Sequence, residues 1–300
     1  MKKILITGGT GFIGQELRTL LLQEGHYITV ITRSPKKYAD EAAKNQRFIS
    51  WDDDLVSVMN EVDVVIHLAG EGVFNQRWTE EVKQSIYDSR IDSTKKLVEA
   101  IGLADEKPEL LISASASGYY GNKADKVLDE TAPVAEDFLA EVCKDWEAES
   151  QKATEFGVRV ANPRIGIVLE KNGGALEKMI PPFQFFVGGP VGDGKQYMSW
   201  IHRMDLCSAI MAPLTNPEIS GAYNVCAPNP VTMNEFSDTL GSIMNRPSVF
   251  RVPGFVLELA FGEGAKPIMD SIRMQPKVLQ EQGFEFQFEE LEEALADILA

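Results

Sequence analysis

Cysteine and histidine are both scarce. Three cysteines, Cys143, Cys207 and Cys226, lie far apart, which argues against a disulfide framework and fits a reducing cytoplasm. Three histidines, His26, His67 and His202, stand alone, and no His/Cys cluster has metal-ligand spacing, so no metal centre is expected. No uninterrupted apolar run reaches membrane-spanning length. The opening "MKKILITGG" has too short an apolar stretch for a signal peptide and reads as a first strand. Positive charge is short as well: 29 Lys and Arg stand against 45 Asp and Glu, a net charge of −16. That balance disfavours nucleic acid and anionic membranes as partners, and any anionic ligand must meet a local positive site. What is present is ordinary for a globular protein, 44% apolar and 25% charged over 300 residues. That length makes one large domain or two closely packed ones.

The segment "KKILITGGTGFIGQELRTLLLQEGHYITVITRSPKK" is the most informative. "ILIT" is a short β-branched run ending in glycines, as a buried parallel strand should. Ile13, Leu17, Leu20 and Leu21 then recur at helical spacing, Gly25 stops the helix, and "YITVIT" is a second strand. The turn between strand and helix is Gly8-x-x-Gly11-x-x-Gly14. Glycines there let the backbone approach a diphosphate, and the helix start offers free N–H groups to it. A tight strand–helix turn without a ligand has the same glycines; the βαβ context favours a nucleotide.

An NAD site asks for a carboxylate at the end of the second strand, to accept from the ribose. Here that end reads Thr32-Arg33-Ser34-Pro35-Lys36-Lys37. A guanidinium donates in a planar fork that suits a 2′-phosphate, so the expected cofactor is NADP(H). "RFISWDDD" reads as a third strand, with Asp52 either near the adenine or in a plain acidic loop. "VDVVIHLAGE" reads as a fourth, closed by Ala69-Gly70.

A glycine loop followed by a strand ending "HLAG" resembles the short-chain dehydrogenase/reductase superfamily in its extended, epimerase-like branch. "LLISASASGYYG", "VRVANPRIGIVL", "WIHRMDLCSAI" and "GAYNVCAPNPVTMNEF" follow in that branch's order. "AGEGVFNQRW", "KDWEAE", "GGPVGDGKQYMSWIH" and the tail from "FGEGAKPIMD" resemble a narrower atypical group of epimerase family proteins that end in a small domain of unknown function. The resemblance implies an NADP-binding Rossmann fold. It assigns Gly8, Gly11, Phe12, Ile13 and Gly14 to the phosphate loop, Thr32 and Arg33 to the 2′-phosphate, and Leu68, Ala69 and Gly70 to the strand edge along the adenosine half. Arg90 falls where the branch has an asparagine. It either enters the site, to bond a phosphate or an acidic substrate, or pairs on the helix surface with Asp88 or Asp92.

The resemblance also implies a Tyr-x-x-x-Lys pair near "FLAEVCKDWEAE" (138–149), and that stretch has no tyrosine. One register puts Leu139 and Cys143 in the two slots, the other Ala140 and Lys144. Phe138, Leu139, Val142 and Trp146 trace an apolar stripe, Cys143 reads as a core residue, and Lys144 is expected to be solvated and salt-bridged between Glu141 and Glu147. Proton transfer then falls to the strand-five end: Ser115 (or Ser117) to orient a substrate oxygen, Tyr119 to donate, Tyr120 to pack. Glu71 and Arg77, on a loop overhanging the nicotinamide end, are further ionisable candidates.

The expected architecture is α/β: a doubly wound parallel sheet with a smaller C-terminal substrate lobe. Residues 1–168 form the NADP-binding domain, to which 199–226 return; 169–198 and 227–300 form the smaller lobe. "MIPPFQFF" either lines a pocket there or packs beneath it. "PKVLQEQGFEFQFEELEEALADIL" predicts a helix, a short strand and an acidic amphipathic helix. The expected function is an oxidoreductase or epimerase on a small polar or sugar-derived molecule; the alternative is a non-catalytic NADP(H)-binding regulator or scaffold. The apolar stripe suits a homodimer packed through residues 79–102 and 136–156.

Overall fold

The computed structural model describes residues 1–300. Its main sheet contains β1 (Lys3–Thr7), β2 (Tyr27–Ile31), β3 (Gln46–Ile49), β4 (Val64–His67), β5 (Leu110–Ser113), β6 (Arg159–Ile165) and β7 (Gly221–Val225). They lie in the order β3-β2-β1-β4-β5-β6-β7, every neighbouring pair parallel. The chain winds outward from β1 to β3 and then returns past β1 to begin β4. Helices therefore cover both faces, and strand order reverses between β1 and β4, which leaves a crevice at the carboxyl ends of those strands. This is the doubly wound parallel sheet the sequence predicts.

Alternate residues of β1 serve opposite faces. Ile4 and Ile6 pack with Leu17 and Leu21 of α1 (Phe12–Gln23) and Leu206 and Ile210 of α6 (Arg203–Met211). Leu5 packs with Val58 and Met59 of α2 (Leu55–Met59) and Leu97, Val98 and Ile101 of α3 (Glu80–Leu103). Each leucine buried in this way contributes about 2 kcal/mol. Gly25, at φ +81°, takes the left-handed conformation that ends α1.

Leu169, Leu176, Phe183, Trp200, Phe236, Leu240, Leu291 and Leu295 share a separate core. It is built from α5 (Gly174–Gln184), α7 (Met233–Met244), α11 (Leu291–Leu299) and a parallel pair, Ile167–Glu170 with Trp200–His202. Further helices are α8 (Gly254–Phe261), α9 (Lys266–Met269) and α10 (Lys277–Glu281). The short strand expected after α10 does not form. The amides of Gln287 and Phe288 donate instead to the Asp205 carboxylate, at 2.8 and 3.0 Å, so a side chain satisfies what a ladder would have.

The stripe on α4 (Phe138–Gln151) is used within the chain: Val142, Cys143 and Trp146 are buried, and Tyr87 on α3 donates to Asp145 at 2.8 Å. Phe138 and Leu139, at its start, stay partly exposed. The outer face of α3 borders an open groove of 780 Å³ lined by Glu80, Glu81, Gln84, Ser85, Asp88, Ser89 and Asp92, polar throughout and acidic. No helix is long and apolar enough to cross a membrane.

Candidate functional site

The three glycines of the loop after β1 do different jobs. A Cβ on Gly8, which sits at φ +70°, would lie 2.7 Å from the Leu68 carbonyl carbon, so this glycine lets the ends of β1 and β4 touch. A Cβ on Gly14 would lie 2.2 Å from Gly8 O, so this one lets α1 pack on the turn. Gly11 is exposed, and a Cβ there would meet only Gly8 O, at 3.2 Å. That contact is relieved by a shift of a few tenths of an ångström, so the protein's own need for glycine is weaker here than at Gly8 or Gly14, while a ligand lying over Gly11 would require it. Gly11 also begins α1 without a side-chain cap or an acid in the first turn. By contrast Thr79, Asp137 and Thr232 cap α3, α4 and α7. An uncapped helix start over an open glycine fits a diphosphate. Phe12 turns away from it, its ring filling the space over Gly173 and Gly174, while Ile13 packs into the first core.

At the end of β2, Thr32 is buried and Arg33 is exposed, as are Lys36 and Lys37. Arg33 forms no ion pair; Glu41, farther along, is taken by Arg18 at 2.9 Å. Of the acids after β3, Asp54 caps α2 and Asp53 accepts from Ser50 N at 2.7 Å, leaving Asp52 in an exposed turn.

The end of β4 is fixed by His67, which is fully buried. Its Nδ1 lies 2.6 Å from Thr7 Oγ1, and its Nε2 lies 3.0 Å from Thr94 Oγ1. Thr94 Oγ1 already donates to Arg90 O at 2.6 Å, so it accepts from the ring, and the ring proton is on Nε2. Burial pushes the His67 pKa down to about 3, which keeps the imidazole neutral. One ring thus ties β1, β4 and α3 together below the crevice. Of the two sequence readings of Arg90, the structure contradicts the surface ion pair. The side chain pairs with neither Asp88 nor Asp92; its guanidinium turns inward, Nη1 donating to Ile86 O at 2.9 Å and Nη2 to Glu71 O at 3.0 Å. It lies 5.2 Å from the Trp146 ring and 3.0 Å from where a Gly70 Cβ would stand.

At the end of β5 the structure selects one register for α4. A Cβ on Gly118 would be 3.1 Å from Leu139 Cβ and 3.8 Å from Cys143 Sγ, so Leu139 and Cys143 face the strand. Ala140 is buried elsewhere and Lys144 points to solvent. Lys144 forms no ion pair, because Glu147 is otherwise engaged. Arg164 holds it bidentately, Nε to Oε1 at 2.8 Å and Nη2 to Oε2 at 2.9 Å, both side chains largely buried. Ser115 Oγ donates to the same Oε1 at 2.6 Å and is 2% exposed. Ser115, expected to orient a substrate oxygen, has its hydroxyl proton committed to the buried ion pair in this structure. Ser117, partly exposed and without a side-chain hydrogen bond, is the serine that remains open. Arg164 Nη1 donates to Tyr120 Oη at 2.9 Å, and Tyr120 donates to Asn224 Oδ1 at 2.7 Å, which fixes Tyr120 as a packing residue. Tyr119 is half-buried, its ring face 3.5 Å from the Arg164 guanidinium and its hydroxyl without a protein partner. Burial raises the Cys143 thiol to about 11, consistent with a core role.

The sequence named neither Glu147 nor Arg164 as a pair, although "WEAE" and "PRI" both stood out; nothing local says that they meet. The loop 70–78 roofs the crevice. Lys178 Nζ of α5 donates to Phe74 O at 2.8 Å, Arg77 Nη1 donates to Leu259 O of α8 at 2.7 Å, and Trp78 N donates to Phe261 O at 3.3 Å. Arg77 is therefore a strap, not a free ionisable group. In "MIPPFQFF" Ile180 and Phe183 are core, whereas Phe185 and Phe186 are exposed.

Over residues 4–226 the chain matches the model of the NAD dependent epimerase/dehydratase family, and over residues 252–298 that of a domain of unknown function, DUF1731. It is 42% identical over 302 residues to the epimerase family protein SDR39U1 homolog, chloroplastic, of Arabidopsis thaliana, covering 99% of this chain and 86% of that protein. To epimerase family protein YfhF of Bacillus subtilis it is 38% identical over 301 residues, 99% of this chain and 98% of that one. The crystal structure of human epimerase family protein SDR39U1 (isoform 2) with NADPH is similar at a TM-score of 0.90 and 30% identity, over 99% of this chain and 98% of that one. UDP-glucuronic acid 4-epimerase from Bacillus cereus, in complex with UDP-glucuronic acid and NAD, has a TM-score of 0.78 at 20% identity over 99% and 98% of the two chains, a likeness of fold alone.

Proposed function

The chain belongs to the NAD dependent epimerase/dehydratase family, and from that premise we propose that it binds NADP(H) and acts as an oxidoreductase or epimerase on a small polar or sugar-derived substrate. The observation that carries the cofactor reading is Arg33: exposed, unpaired, and at the end of β2 where an NAD site would hold an acid. Gly8, Gly11, Phe12, Ile13 and Gly14 form the diphosphate seat, Thr32 and Arg33 take the 2′-phosphate, and Leu68, Ala69 and Gly70 line the adenosine edge. The NADPH of the human relative supports this reading. The three free cysteines, all buried, fit a cytoplasmic protein.

NADPH is expected to bind at least ~10-fold tighter than NADH, a difference of ~1.4 kcal/mol. Arg33→Asp should erase most of it, because a carboxylate repels the 2′-phosphate and accepts from a 2′-hydroxyl. Titrating both cofactors by intrinsic fluorescence checks this; equal affinities in the unmodified protein would sink the NADP reading.

When bound, the nicotinamide supplies or accepts hydride. The protein must then move a proton without Tyr-x-x-x-Lys, since Leu139 and Cys143 stand in those slots. Tyr119 is the donor in this proposal: it follows β5, Arg164 fixes its ring, and its hydroxyl has no internal partner. Ser117 orients the substrate oxygen. Tyr119→Phe should lower kcat ~10²-fold, the lower end of a general acid's contribution, because a half-exposed site admits water as a substitute. Turnover of carbonyl compounds and nucleotide sugars is the measurement, and an unchanged kcat removes Tyr119 from the mechanism. The engagement of Ser115 with Glu147 favours a second reading, a non-catalytic NADP(H)-binding regulator or scaffold; tight NADPH binding with no turnover across that panel would select it.

A further inference from the structure

Arg90 is a cation with no counter-ion, in a chain of net charge −16. No carboxylate comes within ion-pair distance of it, though acids flank it along α3. Its side chain leaves that acidic outer face and threads inward under the end of β4. Two backbone carbonyls, of Ile86 and Glu71, take two of its five N–H groups, and Trp146 lies beneath its plane. Space for the guanidinium comes from Gly70, which has no Cβ, and Cys143 of α4 is close enough for its thiol to feel the Arg90 charge. Arg90 is half-buried and none of its nitrogens is both unpaired and sealed from solvent, so its remaining donors are open to an anionic ligand. The free donors lie at the carboxyl end of β4, between the adenosine edge of Leu68–Gly70 and the roof that begins at Glu71.

We infer that Arg90 is the anchor for the nicotinamide half of the dinucleotide, donating to the oxygens of its ribose and adjoining phosphate, so that α3 supplies a positive charge that α4, with Cys143 at the facing position, does not. The inference rests on the NADP(H) reading and goes beyond it by dividing the site into two separately removable cationic contacts, Arg33 for the adenosine half and Arg90 for the other.

Two probes separate the halves: NADPH, and adenosine 2′,5′-bisphosphate, which has the adenosine half alone. Both are titrated against the full chain. In Arg90→Met, NADPH should weaken at least ~10-fold while the bisphosphate stays within about twofold of its original affinity, which also shows that the variant is folded. In the double variant Arg90→Met/Cys143→Lys the charge returns from α4, and NADPH should regain at least about threefold. Unchanged NADPH affinity in Arg90→Met overturns the inference. So does an equal fall for both probes, which marks Arg90 as structural, and so does a double variant that keeps the bisphosphate but regains no NADPH. If the unmodified protein binds neither probe, the nucleotide reading itself has failed and the inference falls with it.

Discussion

Gly11→Val is expected to abolish NADPH binding and leave the protein folded. The three loop glycines look equivalent in sequence, yet only Gly11 separates ligand from fold. Valine at Gly14 would place Cβ 2.2 Å from Gly8 O, and at Gly8 2.7 Å from the Leu68 carbonyl carbon, so those variants disturb the chain itself. At Gly11 the nearest atom is Gly8 O at 3.2 Å, and the backbone, at φ −86°, is ordinary for any residue. The branched side chain therefore needs only a small shift of Gly8 O but occupies the approach to the first-turn amides of α1. Displacing the diphosphate from those donors should weaken NADPH at least ~10³-fold, or about 4 kcal/mol. Fluorescence titration reads the affinity and thermal unfolding the fold. A folded variant with unchanged affinity would mean that the dinucleotide lies elsewhere.

The largest expected stability change comes from Glu147→Gln. It removes the carboxylate that pairs with Arg164, leaving that charge with Tyr120 Oη and the Glu130 carbonyl, and Ser115 with an amide in place of a carboxylate. Breaking a buried pair on one side costs about 3–5 kcal/mol, because the remaining charge stays desolvated. Replacing both partners, as Glu147→Met with Arg164→Met, should cost much less than the sum of the two single changes. Urea unfolding followed by circular dichroism tests both. A single-variant loss below about 1 kcal/mol would show that water or main-chain groups already solvate Arg164.

These two sites differ in how far the sequence discloses them. The phosphate loop is local: glycine spacing, a β-branched run before it and a helical period after it lie within a few dozen residues, and each constrains the others. The end of β2 is equally local, so Arg33 could be named. The ion pair joins α4 to the end of β6, and no period in either segment points to the other; its discovery needed the sheet to bring Ser115, Glu147 and Arg164 to one place. The same cause hid the partner of Ser115, whose position along β5 was legible. Lys144 is solvated as expected but unpaired: Glu147 is held by a fork of donors from another element, and Glu141, the other acid within one turn, stays exposed without an ion pair. The strand expected after α10 was lost to Asp205, a carboxylate far away in sequence.

The roof over the crevice is gripped through main-chain carbonyls. Arg77 and Lys178 hold Leu259 O and Phe74 O, and no acid of α8 takes part in those two bonds. Part of α8 is consequently left open: Phe255, Val256 and Leu259 are exposed, while Leu257 and Phe261 are half-buried. A roof held in this way lets the outward side chains of α8 be replaced one at a time without loosening the loop below.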